Sequence, residues 1–193
     1  MIPTVQECFH LMDKYAMLEN IRAHTVVVGK IAFLIARDLH RSGIDVSVKK
    51  ATVGALLHDI GKTPSLKSGE NHAEIGMQIC LENNLDEIAP IVREHVRLKN
   101  YELEGSYCEK EIVFYSDKRV NHDRIVSLNE RMDYIIDRYA LGKEDLREAI
   151  RKNFLLCSRV EEKLFRKLAF RPETLPLWVE SEGPAFLSLE TDR

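Results

Sequence analysis

The usual handles on function are scarce in this chain. Its four cysteines, Cys8, Cys80, Cys108 and Cys157, are scattered without a Cys-x-x-Cys pair, which excludes a zinc knuckle or a thioredoxin-like redox motif and reads as reduced, mostly buried thiols. No apolar run approaches the roughly 18 residues that a membrane span needs. The start, Met1-Ile2-Pro3-Thr4, has no basic segment leading into an apolar one, so a cytoplasmic protein with no membrane association is expected. Positive charge is also not in excess. With 28 Lys and Arg against 31 Asp and Glu, the net charge is -3, and general nucleic-acid binding has no electrostatic basis. Small anions stay open as ligands, because a local cluster or a bound metal can hold them.

What the chain does have is helical periodicity. Apolar residues recur at helical spacing, with no alternating strand pattern in the first 170 of 193 residues, so an all-α fold is expected. A first helix runs from near Thr4 to about Leu18. A second follows Asn20 as N-cap, places His24, Val28, Ile31 and Ile35 on one face, and stops at Ser42-Gly43. Ser47 caps a third that ends in His58 and Asp59 at Gly61. A polar loop over 63–71 leads to a helix opening at His72, Asp86 caps the next, carrying His95, and a further helix over 109–120 carries Asp117.

Two amphipathic helices, over 128–139 and 144–168, then precede an irregular tail marked by Pro172, Pro176, Gly183 and Pro184. The apolar stripe of the longer one packs on the body or on a second copy, so a homodimer is entertained. The expected organisation is a metal-binding domain over 1–125, with helices and tail over 126–193 packed on the same globule.

Six residues carry the chemistry. His24, His58, Asp59, His72, His95 and Asp117 are imidazoles and carboxylates on separate helical segments, and metal ligands need lone pairs that converge on one point. A nitrogen and oxygen set without thiolate suits a divalent transition metal. Iron or manganese is favoured, with nickel, cobalt and zinc also compatible. Six ligands can hold two ions, and Asp59 is then the natural bridge, with a hydroxide between the ions attacking phosphorus. Lys62, one turn beyond Asp59, either neutralises charge on a transferring phosphate or is an ordinary solvated lysine. Arg93, Arg97, Lys99, Lys118, Arg119 and Arg124 lie near these ligands in sequence; Arg97 and Arg119 are the selected substrate-binding candidates.

His24, the string Leu57-His58-Asp59-Ile60-Gly61-Lys62 and Asp117 within Tyr115-Ser116-Asp117-Lys118 resemble the H…HD…D signature of the HD-domain metal-dependent phosphohydrolases. The resemblance covers about residues 20–120. It implies a helical bundle with the metals in its middle and hydrolysis of phosphomonoesters or phosphodiesters. His72 and His95 resemble the added ligands of the dinuclear subgroup, which includes the bacterial HD-type hydrolases of symmetrical diadenosine tetraphosphate. That similarity implies one ion on His24, His58, Asp59 and Asp117 and another on Asp59, His72 and His95. The HD-GYP group is a poorer match, because Glu94-His95 replaces a double histidine.

The expected function is therefore hydrolysis of a phosphomonoester, phosphodiester or phosphoanhydride in a nucleotide-like small molecule, with Asp59 and Lys62 in the catalytic centre. Two alternatives stand beside it: a metal- and nucleotide-binding regulatory domain with weak turnover, and a metal-free helical scaffold whose histidines are structural.

Overall fold

In a computed structural model, which describes residues 2–182 and 186, the chain is an all-α bundle. The helices are α1 (Val5–Lys14), α2 (Glu19–Arg41), α3 (Val48–Leu57), α4 (Lys62–Ser68), α5 (His72–Glu82), α6 (Ala89–Glu94), α7 (Glu109–Lys118), α8 (Leu128–Tyr139), α9 (Glu144–Phe165) and α10 (Leu175–Ser181). A short antiparallel hairpin, β1 (Val120–Asn121) and β2 (Arg124–Ile125), separates α7 from α8 and pairs Val120 with Ile125.

Helices α2, α3 and α7 form the centre. In α3 every residue from Ala51 to Leu57 is buried, the condition in which a helix is apolar on all sides because others surround it. Along α2, Val28, Ile31, Leu34 and Ile35 are fully buried, and Gly29 lets Leu56 approach so closely that a Cβ there would meet its side chain at 2.9 Å. His24 shares this inward face, as the spacing predicts.

The N-caps follow local chemistry. Thr4, Ser47 and Ser127 each accept from a backbone N–H three residues on, and Asn71 from one two residues on, satisfying donors that a helix start leaves open. Asn20 is not a cap: α2 begins two residues earlier than that cap implies, and its first turn is tied instead by Leu18 N–H donating to Thr63 Oγ1. Asp86 is likewise no cap, since α6 starts at Ala89. The stretch 63–71, expected as a loop, opens with α4, where Pro64 sits in the first turn and needs no amide donor. The chain from Phe170 is less irregular than expected. Pro172–Thr174 form a 3-10 turn and α10 follows, whereas Gly183 and Pro184 lie outside the described residues.

Helix α9 is fastened to α7 by two polar clusters. Lys163 Nζ donates to the buried Glu111 at 2.9 Å, and Glu161 accepts from Tyr115 at 2.6 Å and Arg119 at 3.1 Å. Helix α10 packs on α2, with Arg37 paired to Glu182. The amphipathic α8, in contrast, carries no buried residue. It lies against α9, the hairpin and α7, above the end of the bundle where the histidines meet.

Candidate metal centre

The six sequence-selected residues converge, and Asp59 is at their middle. The α3 helix ends at Leu57, so His58 and Asp59 occupy the turn that follows. Gly61 makes that turn workable: a Cβ on it would lie 2.2 Å from the His72 carbonyl oxygen and 2.5 Å from the Gly76 nitrogen. Only glycine lets this backbone pass so near the start of α5, and the approach is what carries Asp59 to His72.

The two oxygens of Asp59 face different partners. Oδ2 lies 3.3 Å from His58 Nε2, 3.9 Å from His24 Nε2 and 2.7 Å from Lys62 Nζ. Oδ1 lies 3.6 Å from His72 Nε2 and 3.5 Å from His95 Nε2. Asp117 closes the first group, with Oδ1 3.1 Å from His24 Nε2 and 3.6 Å from His58 Nε2. His24, His58 and Asp59 form one group of donor atoms compact enough to hold a metal ion, and Asp59, His72 and His95 form a second.

Three imidazoles are oriented by main chain. Nδ1–H of His24 donates to the His122 carbonyl at 2.8 Å, that of His58 to Ala55 at 2.6 Å and that of His95 to Val92 at 2.6 Å. With Nδ1 held as the donor, each Nε2 faces the centre and is the nitrogen whose lone pair a metal would take, the arrangement metal-binding histidines adopt. The His122 carbonyl is available because His122 takes φ 54° at the tip of the hairpin, in the left-handed region that histidine tolerates better than most residues. Lys118 supports the centre from behind: its buried Nζ donates to the carbonyls of His95 at 2.8 Å and Phe114 at 3.3 Å and lies 3.5 Å from Asp117 Oδ2.

Cation binding fits these donors. His58 Nε2 and Asp59 Oδ1 are buried and have no hydrogen-bond partner among the described residues, a condition that is unfavourable unless each faces a cation of its own group. The electrostatics agree. Burial works against a charge on His58, but Asp59 and Asp117 outweigh it and lift its pKa to about 9. Burial also opposes charge on both carboxylates, yet His58 and Lys62 hold Asp59, and Lys118 and His24 hold Asp117, well below the usual carboxylate range. Burial takes His72 down to about 4 and lowers His95. Both shifts favour the neutral imidazole, the form in which a histidine can bind a metal.

A cavity of about 520 Å³ opens over the centre, and His24, Asp59, Lys62, His72, His95 and Asp117 line it together with α8 and α9. Lys62 is at its edge, 39% exposed and paired with Asp59. The two arginines chosen from sequence are elsewhere. Arg97 is exposed and lines no part of this cavity. Arg119 is buried and tied down, with Nε donating to Val126 O, Nη1 to Tyr115 and Glu161, and Nη2 to Pro172 O. It stands two residues after Asp117, about 200° further round at 3.6 residues per turn, and lines a separate groove of about 640 Å³. The cavity arginines are instead Arg131 and Arg138 on α8. Neither is near a ligand in sequence; the turn-like Asn121-His122-Asp123-Arg124 between Val120 and Ile125 was the available signal that the chain reverses there.

The profile of the HD domain matches residues 21–142. Ribonuclease Y of Treponema denticola is 35% identical over 120 residues, which are 62% of this chain and 22% of that protein. The tRNA (cytidine(56)-2'-O)-methyltransferase of Thermoplasma volcanium is 29% identical over 175 residues, 82% of this chain and 48% of that protein. An uncharacterized protein of Methanocaldococcus jannaschii, MJ0778, is 34% identical over 79 residues, 40% of this chain and 46% of that protein. The chain thus spans between about a fifth and about half the length of these curated relatives. No solved structure gives a significant match. With the profile covering well over half of the sequence, including all six convergent residues, the chain belongs to the HD domain family.

Proposed function

We propose that this chain is a metal-dependent phosphohydrolase with two divalent ions sharing Asp59. One observation carries the reading: the two oxygens of a single buried carboxylate face separate histidine pairs, His24 with His58 and His72 with His95. Asp117 would complete the first set. Bound divalent ions, iron or manganese being favoured by the donor set, supply charge that polarises phosphoryl oxygens and activates water at neutral pH.

The protein's own groups do the rest. Carbonyls of His122, Ala55 and Val92 fix the tautomers, and Lys118 holds the His95 backbone and Asp117 in place. Lys62 brings a cation to the cavity edge, where it can turn from Asp59 toward a phosphate oxygen. A cavity of about 520 Å³ suits a small ligand. Relatives named for RNA chemistry favour a nucleotide-type phosphoester or phosphoanhydride as the substrate.

The test is hydrolysis by manganese- or iron-loaded protein of mononucleotides, dinucleoside polyphosphates, cyclic dinucleotides and short oligoribonucleotides. Turnover is expected for at least one class, with a loss on the order of a thousandfold or more in Asp59→Ala. The reading is sunk if none is cleaved faster by wild type than by Asp59→Ala. A second reading, a metal- and nucleotide-binding regulatory module, is favoured by the Thermoplasma relative, in which the matched segment is about half of a protein named for methyl transfer. Tight nucleotide binding without phosphate release would select it.

A further inference from the structure

One wall of the cavity comes from outside the set of candidate metal ligands. Helix α8 turns Arg131, Tyr134, Ile135, Arg138 and Tyr139 toward it, a spacing of three and four that forms one helical face. The cations around the cavity differ in what remains free to bind a ligand. Lys118 is occupied by two carbonyls and Asp117, and Lys62 is paired with Asp59 and reaches a ligand only by turning from it.

Arg131 is arranged otherwise. Its Nη1 donates to Asn121 Oδ1 at 2.8 Å, which fixes the guanidinium. Its Nη2 makes no hydrogen bond among the described residues and lies 3.9 Å from Asp117 Oδ1, beyond bonding reach. The side chain is only 12% exposed. An oriented guanidinium with unused donors thus stands beside a carboxylate of the metal centre, where an oxygen of a phosphoryl group seated on that centre would meet it.

One turn along this face is Tyr134. Its ring lies 5.7 Å from the Arg131 guanidinium and edge-on to His122 at 5.4 Å. His122 is the residue whose carbonyl orients His24, so Tyr134 is fixed relative to the metal centre as well. An aromatic ring one turn from a phosphate-binding cation is the pairing that receives a base attached to its phosphate.

We infer that α8 is the wall that recognises the substrate: Arg131, positioned by Asn121, binds a non-bridging oxygen of the phosphoryl group, and Tyr134 packs against a planar group, a nucleobase or aryl ring, on the same ligand. The inference rests on the phosphohydrolase reading for the placement of the phosphoryl group.

Calorimetric titration of manganese-loaded protein with inorganic phosphate and with adenosine monophosphate tests it. Arg131→Ala should weaken both ligands by about 10- to 100-fold, and Arg131→Lys should recover part of the loss. Tyr134→Ala should weaken the nucleotide by about tenfold and leave inorganic phosphate within about twofold. Asn121→Asp, which keeps an acceptor for Nη1, should retain the phosphate affinity that Asn121→Ala loses. Manganese content and unfolding midpoint of each variant should match wild type.

Phosphate binding in Arg131→Ala within twofold of wild type, or no binding of either ligand by wild type, overturns the inference. Equal losses of both ligands in Tyr134→Ala overturn the assignment of the planar group. Wild type that binds both ligands as expected but hydrolyses no substrate rejects catalysis and keeps the wall. Wild type that hydrolyses while Arg131→Ala does so equally well rejects the wall and keeps catalysis.

Discussion

The floor and the α8 wall of one cavity are built in opposite ways. The floor, where His58 and Asp59 follow α3, is backed by a helix in which every residue from Ala51 to Leu57 is buried, and three of its imidazoles are tied to main-chain carbonyls. The wall is an amphipathic helix with no buried residue and with half-buried and exposed side chains facing the ligand space. Groups that must converge to within a few tenths of an ångström are supported by the core, while groups that distinguish one ligand from another lie where substitution disturbs little. This contrast implies that changes in the floor act on stability and metal together, and changes in the wall act on ligand choice.

The largest expected effect is in the floor. Gly61→Ala puts a Cβ 2.2 Å from the His72 carbonyl, and backbone meeting backbone has no flexible side chain to give way. The loss of stability in denaturant unfolding should be roughly 3 kcal/mol or more, together with loss of metal at the His72 side. A loss below about 1 kcal/mol would mean that the close approach of the two segments is not required.

The floor also responds to pH. His58 has a pKa of about 9 against an unperturbed 6.5, so in metal-free protein its proton contributes stability that is complete below 6.5 and is lost as pH rises toward 9. Asp59 and Asp117 are lowered; their contribution is present above the ordinary carboxylate range and is lost only in acid. A metal displaces the His58 proton, so apparent metal affinity should rise by about tenfold per pH unit between pH 7 and 8.5. Affinity independent of pH across that window would show that His58 does not give up a proton to the ion.

Ile60 is 1% exposed, and Ile60→Ala should cost about 2–5 kcal/mol. Ile135 faces the cavity from α8, and Ile135→Ala should stay within about 1 kcal/mol of wild type. Similar losses at both sites would remove the distinction between floor and wall.

Most of the floor was legible in the sequence, because His24, His58, Asp59, His72, His95 and Asp117 are few, chemically distinctive and set on helices whose apolar faces point them inward. The wall was not. Nearness to a ligand in sequence pointed to Arg119, but two residues along a helix lead to the opposite side; nearness in space belongs to Arg131, fourteen positions from Asp117. The hairpin that brings Arg131 there pairs only two residues per strand, too short to show a period of two. Helix α4 has the composition of a loop, with Thr63, Pro64, Ser65 and Ser68, and its short helix is supported by tertiary ties such as Thr63 to Leu18.

The central claim is that Asp59 is shared by two metal ions, and anomalous diffraction from crystals of manganese- or iron-loaded protein tests it most directly. Two peaks are predicted, one among His24, His58, Asp59 and Asp117 and one among Asp59, His72 and His95, with the second lost in His72→Ala. A single peak in fully loaded wild type, or two peaks that both survive in Asp59→Ala, would contradict it.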